Sequence, residues 1–385
     1  GLVGSEMCIR DRYSLESRIF LESTGIYHFP LFCYLVDCGF NASIINPIIT
    51  HSTKNGNIRK VKNDKIDSKG IAKLGLSKDI PVSQFPAKLV LELRSLTRKY
   101  YDLTDERSAH INKLKGDLHT VFPQYLDVFC DVTGKTSTMI LRQYGTPDKI
   151  LRGHKKTMIE KISKASRKGL AKASERYEKL CAAANAAKTF GCQIDSIYFN
   201  IFLTLDLVEK LDSALDSILN RIRQLITFNK NEKFIQQIKL LNTIPGVGFL
   251  TAVTIMCEIG DFSAFRNPKQ LFAYFGLDPE VNESGKFVGT QLHMSKRGSR
   301  IARRAIFAVA LASIRTKRNG EGINPYLRKY YELKSGQKPK MVAIGAVMHK
   351  VCNIVFAVLR DEKAFELRSP EEHCKQYQRP ALAAA

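Results

Sequence analysis

Residues 17–45 read SRIFLESTGIYHFPLFCYLVDCGFNASII. Ser17–Leu21 is a short β-rich run that ends in Glu22. Gly25–Cys38 has the spacing of an amphipathic helix closed by Gly39. Phe40–Ile45 is a second β-rich run, stopped by Asn46-Pro47. Strand, helix and strand in succession form the α/β unit, and a helical crossover makes the two strands parallel neighbours. A basic loop, Lys54–Lys62 (KNGNIRKVK), follows, and a short helix is expected from about Asp64 to Leu76.

Beyond this unit the pattern is helical. Leu91, Leu96, Tyr100 and Leu103 recur at helical spacing within Ala87–Leu118, and Phe122-Pro123 ends the run. Residues 151–189 carry eleven Lys or Arg against three Glu and read as an exposed basic segment or linker. Residues 203–239 read as one long helix, with Leu203, Leu207, Leu211, Leu215, Ile218 and Ile222 as its stripe. That stripe suits a coiled-coil arm or an ordinary bundle helix. Further helices are expected after Thr243–Gly248 through Ile259, at Pro268–Phe275, Arg300–Arg315 and Met341–Arg360, with a Gly-rich loop at 276–298. The fold class is therefore α+β: a small α/β domain, a long helical or coiled-coil region, and a mainly helical C-terminal domain.

The 385 residues allow two or three domains. With 60 Lys and Arg against 37 Asp and Glu, the net charge is +23, and a polyanion such as nucleic acid is the leading partner. Hydrophobic content of 44% excludes a disordered chain. A transmembrane protein is not expected. The nine cysteines contain no CxxC pair and read as reduced thiols of a cytoplasmic protein, which argues against a zinc ribbon. Gly1–Arg12 (GLVGSEMCIRDR) has no periodicity and reads as a non-native leader, the alternative being an ordinary frayed terminus.

Three motifs carry chemistry. The first is Ile244-Pro-Gly-Val-Gly248 between two helices, which resembles the hairpin of a helix–hairpin–helix element. There, Pro245, Gly246 and Gly248 would let backbone N–H groups approach a DNA phosphate; a plain helix–helix turn is the other reading. The second is Glu22 with Asp64 and Asp67. A carboxylate ending an apolar strand is costly unless used or solvated, and the i, i+3 aspartates share a helix face. Three carboxylates at a sheet edge suit Mg²⁺, although Asp-x-x-Asp alone is ordinarily a solvated face. The third is Asn282–Lys286 followed by His293–Gly298. Ser284 lies in a turn amid Lys286, Lys296, Arg297 and Arg300, within a stretch (281–350) of fifteen Lys or Arg and three acids. A serine hydroxyl there could attack a phosphodiester, or the loop could simply bind phosphate.

Taken in order, Leu21–Tyr27, Val61–Asp67, Leu241–Gly248, Phe275–Pro279, Glu283–Gly285 and Ser295–Gly298 resemble an insertion-sequence transposase of the IS110 family, over about residues 17–360. The resemblance implies a RuvC-like (RNase H-type) domain whose Asp-Glu-Asp-Asp set binds Mg²⁺. A coiled-coil segment and a C-terminal transposase domain with a catalytic serine would follow. It places Glu22, Asp64 and Asp67 on the last three carboxylates and Ser284 on the serine. It further implies DNA strand exchange at element ends and target, a structured non-coding guide RNA, and a homo-oligomer in the bacterial cytoplasm at the nucleoid.

The expected domains are the leader (1–12), a partial RuvC-like domain (13–80), a helical and coiled-coil region with a basic linker (81–235), the transposase domain (236–362) and a tail (363–385). The family's first Asp precedes the Glu by several tens of residues, so a chain whose native part begins near Tyr13 is expected to lack it and to bind DNA without cutting it. Asp11 belongs to the leader and is not counted. Two other functions fit the residues: a non-catalytic helix–hairpin–helix nucleic-acid-binding protein, and a RuvC-like structure-selective nuclease.

Overall fold

The structure is a computed structural model. It describes residues 14–22, 27–45, 64–77, 88–192, 194–229, 233–279, 283–284, 287–288, 293–369 and 371–372; for 64–66, 283, 284, 287 and 288 the description is of the backbone. Gly1–Arg12 lies outside the described residues. The chain divides into two compact units, 1–87 and 88–385.

In the first unit, β1 (Arg18–Glu22) and β2 (Asn41–Ile45) pair in parallel, with Arg18 opposite Asn41 and Glu22 opposite Ile45. Helix α1 (His28–Asp37) makes the crossover and buries Phe32 and Leu35 against Phe40 and Ala42. Gly39 ends it at φ +83°. Its N–H donates to the Val36 carbonyl and that of Phe40 to Leu35, the paired bonds by which a left-handed glycine closes a helix. Helix α2 (Asp64–Ser77) packs on β1. A Cβ on Gly75 would stand 2.5 Å from the Phe20 ring, so this glycine lets α2 close onto the strand that carries Glu22.

Among the described residues of the second unit, the regular structure is helical apart from two-residue strands. Helices α3 (Lys88–Val121) and α9 (Asp195–Phe228) lie along each other, each about 50 Å long. The start of α3 (Leu89, Leu93) shares a core with the end of α9 (Ile222), and the end of α3 (Leu114, Leu118, Val121) shares another with the start of α9 (Tyr198, Ile201, Leu205). The pair is therefore antiparallel and joins two cores.

The core at the α3 C-terminus is built from α4 (Tyr125–Val128), α5 (Lys135–Gln143), α6 (Pro147–Arg152), α7 (Lys155–Ser166) and α8 (Leu170–Phe190). This corrects the expected basic linker at 151–189. Beneath the basic surface, Met158, Ile162, Ala173, Leu180, Ala183, Ala184 and Ala187 recur at helical spacing and are buried. Alanines gave little sequence contrast, yet their small side chains let the helices approach closely.

The expected helix 203–239 is also corrected: α9 ends at Phe228, and α10 (Lys233–Leu241) is a separate helix. The buried face of α9 runs through Ile201, Leu205, Val208, Leu215 and Ile222, while Leu203 and Leu207 of the expected stripe are exposed.

The other core holds α10, α11 (Phe249–Ile259), α12 (Pro268–Tyr274), α13 (Arg300–Ser313), α14 (Pro325–Ser335) and α15 (Lys340–Asp361). Helix α15 is long and apolar enough to span a bilayer, but Val347, Val351, Val355 and Leu359 line this core. Part of the expected tail is core as well. Phe365 packs against this cluster, and its N–H donates to the Thr243 hydroxyl at 2.8 Å.

Candidate functional site

In the first unit, Glu22 is the last residue of β1 and is half-buried. The C-terminal ends of parallel strands are where open α/β sheets present site residues. Asp67 lies in the first turn of α2, the helix packed on that strand. Asp64 begins the same helix; its side chain lies outside the described residues. Among the described residues no three His, Cys, Asp or Glu side chains form a metal-holding cluster. Glu22 and Asp67 offer carboxylate oxygens, the donor type that suits Mg²⁺ rather than a metal preferring thiolate or imidazole.

In the second unit, Asn242–Gly248 links α10 to α11. Gly246 has φ +97°, and a Cβ there would lie 2.5 Å from the Ser313 hydroxyl and 2.9 Å from the Ser313 nitrogen. That hydroxyl donates to the Pro245 carbonyl at 3.0 Å. Pro245 and Gly246 thus seat the turn against the end of α13. Gly248 differs: it is exposed, caps α11 at an ordinary negative φ, and has open space around its Cβ position. Of these three residues Gly248 is exposed, while Pro245 and Gly246 are half-buried.

Ser284 lies in a two-residue strand, β3 (Glu283–Ser284), opposite Phe287 of β4 (Phe287–Val288). Its side chain lies outside the described residues, as does Lys286. The Ser295–Gly298 loop that follows is built by close contacts. The Ser295 hydroxyl donates to Asp278 at 2.6 Å, and the Ser295 N–H donates to the Asp278 carbonyl. Gly276 (φ +66°) and Gly298 face each other so closely that a Cβ on either would strike backbone within 2.4 Å. Arg303 donates to the carbonyls of Phe275, Lys296 and Gly298 from beneath. Lys296, at φ +53°, and Arg297 stand exposed on this platform. Arg300 is already paired with Asp105 of α3 at 3.0 Å, and Arg304 holds the same carboxylate.

Sequence reasoning missed Glu258. It is 3% exposed near the end of α11, accepts two hydrogen bonds from Arg98, and accepts a third from the Ser299 hydroxyl. Ser299 caps α13, accepting from the Ala302 N–H. Arg94 donates to the Cys257 carbonyl and Tyr274 to that of Glu258, which satisfies the helix end. Burial opposes ionisation of Glu258, but the hydrogen bonds from Arg98 and Ser299 outweigh it and hold the carboxyl below its usual range. The available signal was a lone carboxylate at the end of an apolar helix, in TAVTIMCEIG.

A basic chain with a carboxylate-bearing α/β unit and a helical unit displaying a cationic loop has the form of a nucleic-acid-processing protein. Comparison with known families gives the class: residues 6–123 match the DEDD-type transposase domain of IS110 elements, and residues 238–332 match the transposase domain of the IS116/IS110/IS902 family. The chain belongs to the IS110/IS116/IS902 family of transposases.

Its relatives include an uncharacterized 43.6 kDa protein of insertion element IS110 from Streptomyces coelicolor, 23% identical over 74% of this chain and 66% of its own length. A pilin gene-inverting protein of Moraxella bovis is 30% identical over 46% of this chain and 52% of its own length. The transposase for insertion sequence element IS1111A of Coxiella burnetii is 26% identical over 47% of this chain and 50% of its own length. The chain thus spans between half and two thirds of these relatives.

Proposed function

We propose that this chain is a DNA transposase or recombinase that excises and inserts an insertion sequence by strand exchange. The observation carrying this reading is that two transposase domains follow one another in one chain, with Glu22 ending a strand and Asp67 on the helix packed against it. Glu22, Asp64 and Asp67 would hold Mg²⁺, which when bound stabilises charge on phosphoryl oxygens.

Ser284 acts as the nucleophile. Its hydroxyl oxygen bonds to the phosphorus and its proton passes to solvent, while the phosphorus–oxygen bond to the departing strand breaks and the departing oxygen takes a proton from solvent to leave a free hydroxyl end. The phosphoserine link conserves the bond energy, so the reverse attack by a new strand needs no external energy source. Lys286, Lys296, Arg297 and Arg300 offset the charge that develops on the phosphate. Gly248 offers its backbone N–H to a DNA phosphate without reading bases. A structured non-coding RNA selects the sites, and the chain works as a homo-oligomer in the cytoplasm at the nucleoid.

The test incubates the full chain with element-end duplex, target duplex, cognate RNA and Mg²⁺, and reads recombinant product and SDS-stable protein–DNA adduct. Ser284→Ala should abolish both while leaving DNA and RNA binding intact. Recombination by Ser284→Ala at near wild-type rate would refute the serine role. Hydrolysis of branched DNA with no adduct would favour a structure-selective nuclease, and binding alone a non-catalytic binding protein.

A further inference from the structure

The α4–α8 module carries a feature that strand exchange does not use. Two adjoining clefts of about 320 and 160 Å³ share Val128, Ser166, Lys168 and Arg176 in their walls. The larger is within the size range of ligand pockets, about 300–1,000 Å³. It opens on the start of α5, where Gly134 is the N-cap and offers no side-chain hydrogen bond. The N–H groups of the first helical turn lack intrahelical partners and concentrate positive potential there.

Thr136 lines the same cleft. It is 8% exposed, and among the described residues its hydroxyl makes no hydrogen bond; nor is it sealed from solvent as an unsatisfied group. A buried hydroxyl kept open to a cleft is costly unless a ligand or water meets it.

Charge completes the site. Lys135, Lys168, Lys172 and Arg176 line the clefts and form no ion pair among the described residues. Arg176 is held over the Phe129 ring at 5.6 Å, which orients its guanidinium. Lys168 sits between Arg167 (φ +54°) and Gly169 (φ +79°), at the tip of the α7–α8 turn. Of the three acids present, Asp131 is bound by the Thr133 N–H and hydroxyl at 3.0 and 2.9 Å, and Glu175 by Lys179 at 2.8 Å. Thr133 is neutral, so Asp131 keeps its charge, and two carboxylates, Asp127 and Asp131, stand against the four cations Lys135, Lys168, Lys172 and Arg176. The basic excess continues outside the clefts through Lys156, Lys164 and Arg167, which fits a polyanion better than a small anion.

We propose that this cleft is a second phosphodiester-binding site, distinct from the hairpin and the Ser295–Gly298 loop, that grips the sugar-phosphate backbone of a nucleic acid. It rests on the nucleic-acid reading above but not on strand-exchange chemistry, and its test reads binding alone.

The experiment measures fluorescence anisotropy of the full chain with labelled single-stranded RNA and, separately, duplex DNA, across a salt series. The Lys135→Gln, Lys168→Gln, Arg176→Gln triple variant should weaken one or both about tenfold at 0.15 M salt. It should also flatten the log–log salt slope by about 2, as loss of two to three phosphate contacts requires. A Lys210→Gln, Arg221→Gln, Arg223→Gln control removes equal charge from α9 and should change affinity less than threefold. Thr136→Val should weaken binding about threefold with the slope unchanged, because it removes an uncharged donor. Loss confined to RNA or to duplex identifies the source of the backbone, and either supports the site. The proposal falls if the triple variant stays within twofold of wild type on both, if the control loses as much, or if Thr136→Val binds normally.

Discussion

Arg98 grips Glu258 through two parallel hydrogen bonds, 2.9 and 3.0 Å, which tie α3 to the end of α11. The pair is lopsided. The Arg98 side chain is 52% exposed and the Glu258 side chain 2%. Removing the arginine leaves a buried charge, whereas removing the charge leaves an arginine that water can still reach. Arg98→Met should therefore destabilise the protein more than Glu258→Gln, by about 2–3 kcal/mol against about 1–2 kcal/mol. The double variant should fall short of their sum, because the two share one network. Urea denaturation of the three variants checks the order.

The same carboxyl sets a pH dependence. Its folded-state pKa lies below the ordinary 4.5, so its contribution is complete above that value and is lost as pH falls through the lower folded value. Wild type should lose stability from about pH 4.5 downward. In Arg98→Met the burial effect is unopposed by the guanidinium, so the folded pKa rises and less stability is lost over that window. Thermal melts between pH 3 and 7 would show it; identical acid profiles would remove Glu258 from the account.

The two hairpin glycines should separate packing from binding. Gly246→Ala adds a Cβ 2.5 Å from Ser313 at a positive φ and should cost about 2–4 kcal/mol. Gly248→Ala meets open space at ordinary φ and should change stability by less than about 0.5 kcal/mol. It should weaken duplex binding if the turn meets phosphate. Melting temperature and DNA affinity, measured together, decide this.

Lys296 and Arg297 are exposed without an ion pair among the described residues, while Arg300 is paired with Asp105. Lys296→Ala and Arg297→Ala should each lower the DNA salt slope by about 1. Arg300→Ala should lower it less and change stability by under about 1 kcal/mol, since an exposed ion pair is weak. Equal slopes for all three would mean that Arg300 leaves Asp105 when DNA binds.

Thiol chemistry tests the packing of the C-terminal core. Burial pushes the Cys257 thiol up to about 12 and raises that of Cys352 further, so neither ionises near neutral pH. Cys130 and Cys192 are exposed. Alkylation of native protein at pH 8, mapped by peptide mass, should modify Cys130 and Cys192 in minutes and Cys257 and Cys352 only on unfolding.

The local pattern of the chain determined a good deal. Short β-rich runs at 18–22 and 41–45, with an amphipathic helix between them, sufficed for the βαβ unit, because a helical crossover suits a parallel pair. Gly39 marked its helix end, and Pro268, Ser299 and Gly248 sit at the starts of helices that the sequence had already suggested. The ordered motifs from Leu21 to Gly298 were enough to indicate the family.

Tertiary structure decided what local pattern cannot encode. Residues 151–189 look like a linker because charge dominates their composition, yet an alanine-lined face packs them into a core. Gly246 and Gly298 carry no sequence signal that separates phosphate contact from close packing. That distinction depends on Ser313 and Tyr274, distant in sequence and adjacent in space. Glu258 was invisible for the same reason: a lone acid in an apolar helix acquires a role only when Arg98, 160 residues earlier, and Ser299, 41 later, converge on it. Helical and strand periods are short-range properties of the chain, whereas burial, charge pairing and backbone approach are set by contacts between segments far apart along it.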